Sequence, residues 1–259
     1  MKSPAWFSKI IICSLLAACA CTAQTGTGPS TAAPPPPVTN LQRQLDRLEN
    51  TLHDYGNLAR YHDEDMKLSA PAPGEDRVVF LGDSITDFWG RRGAPFFPGK
   101  PYVNRGISGQ VTPQMLIRFR QDVINLKPKV VVILAGTNDI GGSLGPIPEE
   151  ATKNNLMSMA ELARANSIRV VLSSLTPVCD SLQPQTAKRP LAKIMALNDW
   201  IKSYAAGHNL VYLDYYSHMI NDTGMLRSNL TVDCLHPNQA GYDIMAPLAE
   251  QAIKKALQQ

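Results

Sequence analysis

Phe80-Leu81-Gly82-Asp83-Ser84-Ile85-Thr86-Asp87-Phe88-Trp89 interrupts an apolar run with a glycine and two short polar residues, then resumes as a helix-compatible segment. Two functions suit such a break. Ser and Asp are favoured helix N-caps because their side-chain oxygens accept from the unpaired N–H groups of a first turn. A serine at the carboxyl end of a strand also stands where open α/β sheets bind their ligands. The tripeptide alone does not separate a cap from a nucleophile.

Working outward, apolar runs of strand type recur at residues 78–81, 102–104, 130–135, 168–172 and 210–213. Helical patterns lie between and after them, at 113–125, 149–166, 188–206 and 237–257. Short apolar strands alternating with helices predict an α/β fold whose parallel sheet of five strands is covered on both faces. Each strand end should then face the ligand side. The first delivers Gly82-Asp83-Ser84 and the second Asn104-Arg105-Gly106-Ile107-Ser108-Gly109. The third delivers Gly136-Thr137-Asn138-Asp139, and beyond the fifth comes Asp233-Cys234-Leu235-His236, with Pro237 suited to a first helical position.

Residues 1–21 read as an export signal, with Lys2 and Lys9 before an apolar run at 10–18. Leu16-Ala17-Ala18-Cys19 resembles the lipobox of bacterial lipoproteins, whereas Ala18-Cys19-Ala20 and Cys21-Thr22-Ala23 offer ordinary cleavage sites. Both readings put the mature protein outside the cytoplasm, and any membrane association would run through that N-terminal anchor. Residues 22–38, ending in Pro34 to Pro37, have the composition of a linker. Residues 39–76 form a helical extension before the domain at 77–259. There Thr39 and Gln42 have capping-box spacing, and Leu41, Leu45, Leu48, Leu52 and Tyr55 make one apolar stripe, expected to pack on that domain.

A net charge of +3 without a Lys/Arg cluster is not a nucleic-acid signature. The chain has no GxGxxG, Walker loop, HExxH or paired CxxC, so no cofactor and no metal are expected. Acyl transfer is the chemistry these groups can assemble. A serine hydroxyl needs a base, histidine suits neutral pH, and a carboxylate fixes the imidazole tautomer. Of His53, His62, His208, His218 and His236, only His236 has an aspartate three residues earlier at a strand-end turn.

The four strand-end segments, in this order over residues 77–257, resemble the four blocks of the SGNH, or GDSL-type, hydrolases. The resemblance implies a three-layer α/β/α sandwich of flavodoxin-like kind. It implies Ser84 as nucleophile, His236 as general base and Asp233 as its orienter. It also implies an oxyanion hole from the N–H groups of Ser84 and Gly109 and the Asn138 amide. Asp83 and Asp87 then read as backbone-bonding groups, Asp139 as the holder of the Asn138 loop, and Arg105 as structural. Cys179 and Cys234 could be separate buried thiols, but the family's strand order puts both at one edge of the active face, which suggests a disulfide. The expected function is an exported serine esterase that removes short acyl groups, such as acetyl, from carbohydrate. Phe88, Trp89, Phe96 and Phe97 offer aromatic surface for a sugar or simply pack under the face. The polar, proline-punctuated loops at 141–148 and 176–190 argue against a lid for a fatty chain. The alternatives are a lysophospholipase or thioesterase and, in another class, an inactive surface binding module.

Overall fold

The computed structural model of the chain describes residues 39–92 and 94–259, leaving aside the side chains of residues 44, 47 and 50. The export signal, the lipobox with Cys19 and the linker at 22–38 therefore lie outside the described residues.

Two helices open the described chain, α1 (Asn40–His53) and α2 (Ala59–Lys67). The body follows as β1 (Val78–Gly82), α3 (Ser84–Asp87), β2 (Tyr102–Gly106), α4 (Thr112–Asp122) and β3 (Val130–Leu134). It continues as α5 (Thr137–Ile140), α6 (Glu149–Ala165), β4 (Arg169–Ser173), α7 (Leu191–Gly207) and β5 (Val211–Leu213), and closes with α8 (Tyr216–Met219) and α9 (Gln239–Leu257). All five strands pair in parallel, in the order β2-β1-β3-β4-β5. That order reverses direction between β1 and β3, and such switch points open a crevice at the strands' carboxyl ends.

The runs that read as strands do so because they are buried on both faces. Val79, Leu81, Val131, Ile133, Val170 and Leu172 point to one side, where Met115 and Phe119 of α4, Leu156 of α6 and Ile194 of α7 meet them. Val78, Phe80, Val130, Val132, Val171 and Val211 point to the other, against Met245, Ala249 and Ile253 of α9. This period-2 alternation between two cores defines three layers. Each fully buried Val, Leu or Phe contributes roughly 1.5–3 kcal/mol.

The N-terminal segment divides into two parts. Leu41, Leu45, Leu48 and Leu52 are 66, 45, 62 and 83% exposed, so the α1 stripe does not pack on the domain as expected. Periodicity sets which side chains share a face, not what covers that face. The cap is also only half formed: Gln42 N–H donates to Thr39 Oγ1 at 3.1 Å, but the Gln42 side chain bonds Asp46 instead of reaching back. By contrast, residues 55–67 belong to the body. Tyr61 is 1% exposed and donates to the Gly106 carbonyl, and Gln110, Gln114 and Gln121 donate to the carbonyls of Gly56, Tyr55 and Leu58. Residues 55–67 thus sit beside α4 and the end of β2, on the ligand side of the sheet.

Candidate active site

Two glycines set where α3 lies. Gly82 and Gly106 are register partners at the ends of β1 and β2. A Cβ on Gly106 would stand 2.1 Å from Asp87 N and 2.6 Å from Thr86 C, and one on Gly82 would meet the Thr86 side chain at 2.1 Å. Only bare backbone lets the short helix cross the strand ends this closely. Its near end is fixed by Asp83, which accepts from Ile85 N–H at 2.9 Å and is fully buried. Tyr242 of α9 donates to Ile85 O at 2.8 Å, and Asn104 donates to Thr86 O and Trp89 O at 2.6 and 2.9 Å. Asp83 is therefore the cap and Ser84 the first helical residue.

The Asp-x-x-His spacing has a local logic. Asp233 Oδ1 accepts from the N–H groups of Leu235 and His236 at 3.1 and 2.8 Å, closing the turn. Its Oδ2 is left for His236 Nδ1 at 2.6 Å, and His236 Nε2 lies 2.9 Å from Ser84 Oγ. Burial pushes the Asp233 carboxyl up, but the bonds and charge from His236 outweigh it and hold the pKa below the usual value. Thr231 Oγ1 donates to His236 O at 2.8 Å, and Cys234 takes a left-handed φ of 68° within the turn. Asn238 caps the following helix, accepting from Gly241 N–H at 3.1 Å, so Pro237 stands before the helix and not at its first position. Helix α9 therefore begins two residues later than the sequence pattern implied.

The donors converge from three strand ends. Gly109 has φ +81°, a left-handed turn that glycine adopts freely. Asn138 Nδ2 donates to Gln110 O at 3.0 Å and lies 3.4 Å from Asp83 Oδ2. The amide thus touches the residue before Ser84 and the residue after Gly109. Neither the Ser84 nor the Gly109 N–H enters the backbone hydrogen bonds of the described residues. Asp139 anchors this loop as expected, accepting from Thr112 N–H at 3.0 Å, from the Thr112 hydroxyl and from Thr152 Oγ1 at 3.2 Å. Burial outweighs those bonds and raises its pKa. A cavity of about 360 Å³ beside the loop, lined by Ile140, Ile147, Lys193 and Leu197, holds none of Ser84, Gly109, Asp233 or His236.

Several supporting groups escaped sequence reasoning. Arg118, fully buried and paired with Asp122 at 2.9 Å, donates to the carbonyls of Arg105 and Gly82 and to Gln110 Oε1. The i, i+4 pair was visible in sequence; its burial was not. Arg189, 7% exposed, reaches Asn138 from just before α7, which begins at Leu191 and leaves Arg189 outside the helix expected over 188–206. Arg105 is structural, bonded to Asp65 at 2.6 Å, and Asp87 accepts from the Ser108 hydroxyl at 2.6 Å. Trp89 and Phe97 are 3 and 8% exposed and pack with Phe80 and Tyr242, so they are core. Phe88 alone of that group faces the reactive side, its ring centred 5.0 Å from that of His236. Cys179 and Cys234 form a disulfide that ties the segment after β4 to the Asp233–His236 turn.

A solved GDSL-like lipase of Bacteroides thetaiotaomicron is 43% identical, with a TM-score of 0.73 over 78% of this chain and 99% of that one. An acetylxylan esterase of Xylanibacter ruminicola is 28% identical over 240 residues, 77% of this chain and 49% of that protein. The Bacillus subtilis lipoprotein YqeF is 31% identical over 81 residues, 30% of this chain and 33% of its own. The chain thus matches half or less of the length of these two curated relatives. The pattern of the GDSL-like lipase/acylhydrolase family matches residues 80–244, and the chain belongs to that family.

Proposed function

We propose that the protein is an exported serine esterase that works through an acyl-enzyme. Ser84 Oγ attacks the ester carbonyl as its proton passes to His236 Nε2, and Asp233 steadies the imidazolium that results. The Ser84 and Gly109 N–H groups and Asn138 Nδ2 receive the developing oxyanion. His236 then protonates the departing alkoxide, and a water molecule deprotonated by the same imidazole releases the acid and restores Ser84. The observation that carries this reading is the single imidazole bridging Ser84 Oγ at 2.9 Å and Asp233 Oδ2 at 2.6 Å.

A short acyl group on carbohydrate is the favoured substrate. The acetylxylan esterase relative supports it, though at 28% identity and across 49% of that protein's length. Export is supported by the signal-like N-terminus, the lipoprotein relative and the disulfide, since disulfides persist in oxidising compartments. Longer acyl chains remain the second reading because Leu144 and Leu182, on the loops after β3 and β4, are 47 and 54% exposed. Hydrolysis of p-nitrophenyl esters from acetate to octanoate, with acetylated xylan fragments alongside, decides between them. The expected result is a maximum at acetate that disappears in Ser84→Ala. A maximum at eight carbons overturns the substrate, and equal rates in wild type and variant overturn the enzyme in favour of a binding module.

A further inference from the structure

Arg189 lies between β4 and α7, outside the Ser-His-Asp constellation, and each of its three guanidinium nitrogens donates a hydrogen bond. Nε donates to Thr137 O at 3.2 Å, Nη1 to Gln185 Oε1 at 2.9 Å and Nη2 to Asn138 Oδ1 at 3.2 Å. The guanidinium lies flush on Gly141, where a Cβ would come within 2.8 Å of Cζ and Nη2. Burial lowers its pKa, against the pull of the Asp83 and Asp233 carboxylates. The segment is held from below as well. Arg189 N–H donates to Gln185 O at 2.8 Å and Gln185 N–H to Cys179 O at 3.2 Å, beside the disulfide.

The consequence concerns the direction of one amide. A primary amide rotated by half a turn exchanges an acceptor for two donors with almost no change of shape. An Asn138 turned the wrong way would aim its oxygen at a developing oxyanion. In the observed orientation, Oδ1 accepts from Arg189 and Ser143 Oγ, and Nδ2 faces Gln110 O and Asp83 Oδ2. A guanidinium has donors only, so the flipped amide would set N–H against N–H at Arg189 and oxygen against oxygen at Gln110. A charged donor on the carbonyl end also polarises the amide and strengthens its N–H as a donor.

We propose that Arg189 is a positioning residue for catalysis, fixing the Asn138 amide with its N–H toward the oxyanion. The inference rests on the reading of Asn138 as an oxyanion donor. Arg189 acts only through Asn138, so the two effects should not be independent. The test is a double-mutant cycle on p-nitrophenyl acetate hydrolysis, with Arg189→Met and Arg189→Lys each made in the full chain and in Asn138→Ala. Arg189→Met should lower kcat roughly 10- to 100-fold, the range for losing a charge-assisted bond, with KM nearly unchanged. Arg189→Lys should recover part of kcat, and in Asn138→Ala neither change should matter by more than about threefold, the mark of coupled residues. Near-ultraviolet circular dichroism checks the fold. If Arg189→Met does not fold, the Lys variant completes the cycle. An equal loss of kcat in both backgrounds, or a loss confined to KM, overturns the proposal. An undiminished kcat in Asn138→Ala alone overturns the donor reading beneath it, and that arm contains no Arg189 variant.

Discussion

Replacing both bridged cysteines, Cys179→Ala with Cys234→Ala, should destabilise the protein by an amount the chain separation fixes. The bridge closes a loop of 55 residues. A cross-link of that span removes about 14 cal/mol/K from the unfolded ensemble, or about 4 kcal/mol at 25 °C. Both side chains are nearly fully buried, and alanine also removes the sulfur that accepts from Leu182 N–H at 3.3 Å, a weak bond beside the cross-link itself. For a domain of this size, about 4 kcal/mol corresponds to a fall in Tm of roughly 8–16 °C. Some local order should survive, because Cys179 N–H still donates to Cys234 O at 3.1 Å and the Thr231 hydroxyl to His236 O. The assay is urea and thermal unfolding of wild type with and without reductant, beside the double variant. Wild type should fall to the variant's level when reduced, and the variant should ignore reductant. Peptide mapping after alkylation without reduction should leave both cysteines unlabelled. Unfolding curves that coincide for wild type and variant, or alkylated Cys179 and Cys234 in native protein, would refute the reasoning.

The remaining predictions probe the strand ends. Burial pushes the Asp83 carboxyl up to about 7. Its folded pKa lies above its unfolded one, so its contribution is fully present below about pH 4 and is lost as pH rises through about 7, by at most about 4 kcal/mol. Asp83→Asn should flatten that part of the stability profile between pH 4.5 and 7.5, and parallel urea midpoints for wild type and variant would contradict it. Gly106→Ala should cost several kcal/mol and most activity, because the new Cβ meets backbone of α3 that cannot yield. Gly207→Ala, with open space around it, should be close to neutral, and equal thermal shifts for the two would refute the steric argument. Asn138→Ala should lower kcat on p-nitrophenyl acetate by about 10²–10³, and a loss below tenfold would remove it from the oxyanion hole.

What was legible in the sequence was what is local. The five strands are short apolar runs because both faces are buried, and each lies within about two residues of its expected place. The four strand-end motifs carry their geometry in their spacing: Asp233 can close its own turn with one oxygen and hold the imidazole with the other only at three residues' distance. The groups that went unread act across long separations. Arg189 meets Asn138 over 51 positions, Tyr61 meets Gly106 over 45, and Arg118 meets Gly82 over 36, with no periodicity to mark them. The α1 stripe failed for the opposite reason: its period is clear, but a period carries no information about the partner.

The central claim is that Ser84 is the nucleophile, activated by His236 and Asp233. A serine-directed fluorophosphonate, followed by peptide mass mapping, tests it most directly. The account predicts one adduct, on Ser84, formed in wild type and nearly abolished in His236→Ala with the fold retained. An adduct on another serine, or unlabelled protein that still hydrolyses p-nitrophenyl acetate, would contradict it.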